Sequence, residues 1–78
     1  MRSYENLYVI YQKVRPSPID PQIIMQCEKG AHVPLHVLLA QYKYLVLHGE
    51  KNYGYKCIRD KLIADFGKQT IEDMEAIQ

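Results

Sequence analysis

Apolar residues recur along this chain at spacings of three and four, in blocks separated by proline and glycine. Side chains three or four apart share one face of a helix, so the pattern predicts a series of amphipathic helices. In the first block Tyr4, Leu7, Tyr8, Tyr11 and Val14 form the stripe, with Ser3 placed to cap and Glu5 in the first turn. This predicts a helix over 3–14. A strand over 7–11 competes, because Leu-Tyr-Val-Ile-Tyr is rich in strand formers.

Pro16 and Pro18 then exclude regular helix, and Asp20-Pro21 is a start signal: a capping carboxylate followed by proline at the first helical position. A helix from Pro21 to about Lys29 would present Ile23, Ile24 and Cys27 and stop at Gly30. From Pro34 the apolar stripe widens, until His48-Gly49 closes the helix. Leu35, Leu38, Leu39, Tyr42, Leu45 and Val46 are joined by Val37, Ala40, Tyr44 and Leu47 until little of the circumference is polar. A helix of that kind lies inside a fold or is shared with a second subunit. Residues 50–54 read as a turn. A helix over 55–66 turns Tyr55, Ile58, Leu62 and Phe66 inward and Lys56, Arg59 and Asp60 outward. After Gly67, Thr70 is placed to cap a last helix over 71–77, whose acidic end is expected to fray.

The expected fold is all-α, a compact bundle of four to five short helices around the apolar helix at 34–48. The alternative is an α+β fold with an N-terminal strand. At 78 residues the chain is one domain, marginal by itself, for which dimerisation is a common remedy. Two cysteines without a Cys-x-x-Cys spacing suggest free thiols in a reducing, cytoplasmic setting. The start lacks a basic-then-apolar leader, and no apolar run approaches the ~18 residues of a membrane span.

Net charge is +1, which argues against a general polyanion binder, but its distribution is uneven: +3 over 30–61 and −3 over 62–78. The stretch 41–61 holds four of the seven tyrosines and five of the ten basic residues. Aromatics interleaved with cations can fill a partner's pocket or stack on bases. The leading expectation is therefore a non-enzymatic protein-interaction module, a regulator, adaptor or inhibitor that is itself dimeric. Its partner contacts would come from Tyr44, Tyr53, Tyr55, Lys56 and Arg59. The alternative is a small nucleic-acid binder with Lys51, Lys56, Arg59 and Lys61 on phosphates. A helix-turn-helix built from the last two helices fails, because three acids in the second would repel phosphate; the frame 34–48 followed by 55–66 puts basic residues on its second helix, but its connector of about six residues is longer than the motif usually allows. His32, His36, Cys27 and Cys57 could supply a zinc tetrahedron, yet no standard spacing is matched and Pro34 separates the histidines. No nucleophile motif or glycine-rich phosphate loop occurs, so neither an enzyme nor a cofactor is expected.

Overall fold

The local start and stop signals are satisfied by hydrogen bonds that can be traced one by one. The computed structural model describes residues 4–76, with side chains from Leu7 onward. The elements are α1 (Tyr4–Lys13), α2 (Pro21–Glu28), α3 (Leu35–Leu47), α4 (Tyr53–Phe66) and α5 (Lys68–Ala76). Among the described residues there is no strand, so the fold is the all-α bundle. Residues 7–11, the competing strand, are helical. Their tertiary environment favours this: Leu7 and Tyr11, one helical turn apart, are both buried. The expected Ser3 cap and the contact at Ile77 lie outside the described residues.

Asp20 caps α2 by accepting from the Gln22 N–H at 2.9 Å. The helix ends in a Schellman turn, Gly30 N–H to Cys27 O and Ala31 N–H to Gln26 O, with Gly30 at φ 73°. α3 ends the same way at Gly49, whose φ of 68° lets Glu50 reach back to the Leu45 carbonyl at 2.9 Å. These left-handed glycines explain why both helix ends were legible as sequence.

α4 begins two residues earlier than expected. Asn52 accepts from the Tyr55 N–H at 3.0 Å and so caps a helix that already includes Tyr53 and Gly54. Gly54 sits inside α4 against the side-chain ends of Ile24 and Ile19. A β-carbon at that position would lie 3.3 Å from Ile24 Cδ1 and 3.4 Å from Ile19 Cδ1. α5 begins immediately after Gly67 and contains Thr70, which is buried within the helix and does not cap it.

α3 sits in the middle, as its wide apolar stripe predicts. Five consecutive residues from Leu38 to Tyr42 are buried, so almost every side of the helix meets protein. α1 packs on one side of α3 and α4 on another, while α4 also carries α2 and α5. Leu39, Leu45, Ile58, Leu62 and Ile71 form the centre of the core. The proline connector is fastened along α3: Ser17 N–H donates to Ala40 O at 3.2 Å, and the Asp20 N–H reaches the buried Gln41 Oε1 at 3.4 Å. Lys43 closes the C-terminal end of α1, donating to the carbonyls of Tyr11, Gln12 and Val14 at 3.1, 2.9 and 3.1 Å. A cation there also meets the negative end of the helix dipole.

Candidate functional site

The basic and aromatic residues of 41–61 do not form one face. α4 divides them, because it is clamped between α2 on one side and α5 on another. Residues 53, 54, 57 and 61 line the α2 side, and residues 55 and 59 the α5 side.

On the α5 side the organiser is Glu75. Its Oε2 accepts from the Tyr42 hydroxyl at 2.6 Å, the Tyr55 hydroxyl at 3.0 Å and Arg59 Nε at 2.8 Å, and its Oε1 accepts from Arg59 Nη2 at 3.1 Å. Tyr55 stacks on Tyr42 with ring centroids 5.7 Å apart, and Tyr42 in turn meets Tyr11 at 5.9 Å. The Arg59 hydrogen bonds hold the Glu75 carboxyl down at about 2; burial opposes this, and the two tyrosine hydroxyls assist it. Burial, then the bond to Glu75, pushes the hydroxyls of Tyr42 and Tyr55 up. Glu75 keeps the Arg59 guanidinium protonated far into the alkaline range.

Arg59 thus faces α5 rather than solvent, which corrects the outward orientation expected from periodicity alone. The acidic helix α5 is pinned: Thr70, Ile71 and Met74 are buried, and Glu75 bridges it to both α3 and α4. Glu75 was missed in the sequence because the acidic end was read only as a net-negative helix expected to fray. Its spacing held a signal, since residues 71, 74 and 75 share one helical face. Beside the cluster lies an open cleft of about 420 Å³, lined by Leu45, Val46, Lys51, Tyr55 and Arg59 among others.

On the α2 side, Tyr53 stands in the first turn of α4 with 60% of its surface exposed. Its hydroxyl donates to the Glu28 carboxylate on α2, and that bond is the main reason its pKa rises. Tyr53 forms a ridge between two clefts. One, of about 310 Å³, has apolar walls from Ile19, Pro21, Ile24 and Gly54. The other, of about 450 Å³, includes Cys27, Cys57, Lys56 and Lys61. Lys56 is therefore brought beside Tyr53. Tyr44 belongs to neither group; it is half-buried on α3 and stacks on His48 at 4.1 Å.

Three of the four residues expected to hold phosphate are already ion-paired within the chain. Lys56 meets Asp60 at 2.9 Å, Arg59 meets Glu75 at 2.8 Å, and Lys61 meets Asp65 at 3.7 Å. Lys51 alone of the four makes no ion pair among the described residues. The two cysteines do meet at one cleft, but its walls include neither His32 nor His36, both of which are exposed. Among the described residues no group of three or more His, Cys, Asp or Glu is placed to hold a metal ion. Likewise no helix among them is long and apolar enough to cross a membrane. No known protein family, curated protein or solved structure matches this chain.

Proposed function

We propose that this chain is a non-enzymatic protein-interaction module that receives a partner protein over the seam between α2 and α4, with Tyr53 as the anchor. The observation that carries this reading is the exposed Tyr53 ring, held by its bond to Glu28 between a cleft walled by Ile19, Pro21 and Ile24 and one that includes both cysteines and Lys56. A tyrosine fixed in this way gives large contact area at small entropic cost, which is why such residues recur as interface hot spots. Ile19, Pro21 and Ile24 would receive an apolar side chain of the partner, and Lys56 would stand at the rim to guide approach. Tyr55 and Arg59 would support the site by holding α4 in place, while Tyr44 would contribute only to an interface that extends across α3. A second copy of the chain is one such partner, and a regulator, adaptor or inhibitor in a reducing cytoplasm is the setting that the free thiols suit.

The nucleic-acid alternative is weakened by the ion pairs at Lys56, Arg59 and Lys61, since phosphate would have to compete with a carboxylate at each. Two measurements decide between the readings. Titration of a labelled mixed-sequence duplex at two salt concentrations should show no binding; tight binding that collapses with salt would overturn the protein-docking reading in favour of phosphate contacts. Tyr53→Ala should weaken partner capture, or self-association in sedimentation, by about 30-fold, equivalent to the ~2 kcal/mol of an interface hot spot. The variant's melting temperature should stay close to that of the parent. Unchanged association, or unfolding as severe as that of a core variant, would refute the assignment.

A further inference from the structure

Cys27 and Cys57 lie far apart in sequence and on different helices, yet both line the cleft between α2 and α4. Both are free and half-buried. The two helices pack against each other beside them. Gly54 lies one turn before Cys57, and Ile24 one turn before Cys27; a β-carbon at Gly54 would stand only 3.3 Å from Ile24 Cδ1. The Gly54–Ile24 contact and the Cys57–Cys27 pair are therefore successive rungs of one seam, three residues apart on each helix. Facing residues of helices packed at an axial distance of about 8–10 Å bring their α-carbons near the ~4.4–6.8 Å that a disulfide spans. The thiols also lie within electrostatic reach of one another: burial, then the Cys57 thiol, pushes Cys27 up, and Lys61 pulls it back.

We propose that Cys27 and Cys57 form a paired-thiol modification site that low-molecular-weight disulfides, such as oxidised glutathione, convert to an intramolecular disulfide across the α2–α4 seam. In one of the two equivalent orders Cys57 attacks first. Its thiolate bonds to one sulfur of the reagent, and the other half leaves as a thiolate. Cys27 then gives its proton to solvent and attacks the Cys57 sulfur, which forms the protein disulfide and expels the second half. Two protein thiols are oxidised, and one reagent disulfide is reduced to two thiols. The cleft, at about 450 Å³, has the volume of a small-molecule site. This inference does not depend on the docking reading, since it needs no partner.

The test is to expose the folded full chain to oxidised glutathione, quench with acid and measure intact mass and a non-reducing peptide map. The expected product is a monomer lighter by two hydrogen atoms, with the Cys27 and Cys57 peptides joined and the change reversed by dithiothreitol. Cys27→Ser and Cys57→Ser should each stop at one stable glutathionyl adduct. A wild-type chain that ends doubly glutathionylated, joined to a second copy, or unmodified under conditions that oxidise the urea-unfolded chain would overturn the proposal.

Discussion

Glu75→Gln asks whether α5 is held by a carboxylate or only by the burial of Ile71 and Met74. The carboxylate accepts four hydrogen bonds from Tyr42, Tyr55 and Arg59. Each bond to a charged group is worth about 1.5–3 kcal/mol, but four bonds to one group do not add. A second route to the magnitude is the carboxyl's depression from 4.5 to about 2. At ~1.36 kcal/mol per unit this sets a ceiling of about 3 kcal/mol. The Arg59 and Glu75 side chains are each 26% exposed. Solvent screening at such a site lowers the expected loss to about 1–2 kcal/mol. Glutamine preserves the shape and an acceptor while removing the charge that faces Arg59. For a domain of this size the thermal midpoint should fall by about 5–15 °C, measured by far-ultraviolet circular dichroism.

The pH dependence makes the test sharper. The folded carboxyl is depressed, so its contribution is complete above the ordinary value of 4.5 and is lost as pH falls through that value towards about 2. The gap between parent and Glu75→Gln should be constant near neutrality and close across that acid window. A variant as stable as the parent at neutral pH, or a gap that persists unchanged in acid, would refute the hub.

Leu39→Ala opens a cavity at a fully buried position on the central helix and should cost about 2–5 kcal/mol in urea unfolding, with loss of cooperativity if α3 is the organiser. Lys43→Met removes the three bonds that close α1 while keeping the aliphatic stem. It should cost about 1 kcal/mol and raise amide exchange in the last turn of α1 well above that in α4.

The expected helix blocks could be read because their boundaries depend on nearest neighbours. Asp20-Pro21, Gly30 and Gly49 act within one turn of backbone, and the structure has the corresponding caps. The position of α3 was equally legible, since a helix with almost no polar side has no stable place except the interior. Local rules failed where two of them competed. Gly54 resembled a turn residue, but it lies inside α4, in contact with the side-chain ends of Ile24 and Ile19. Asn52 had the right chemistry for a cap, although the glycine two residues later obscured it.

The candidate site was less legible. Sequence placed Tyr53, Tyr55, Lys56 and Arg59 within seven consecutive positions, and that proximity suggested one surface. A helix turns by about 100° per residue, so neighbours in sequence point different ways unless they are three or four apart. Only the packing of α2 and α5 against α4 decided that Tyr53 remains exposed while Arg59 is engaged by Glu75. The same packing brought Cys27 to the cleft of Cys57 and paired Arg59 with Glu75 of α5, whereas Lys56–Asp60 and Lys61–Asp65 are one-turn pairs within α4 itself. The sequence by itself determined the helical class, the central helix and the caps at Asp20, Gly30 and Gly49, because these follow from backbone conformation and from the periodicity of apolar side chains. That Arg59 is neutralised by Glu75 and that the Tyr53 ring is left exposed were decided by tertiary structure, because such contacts join residues remote in the chain and depend on how the helices cross.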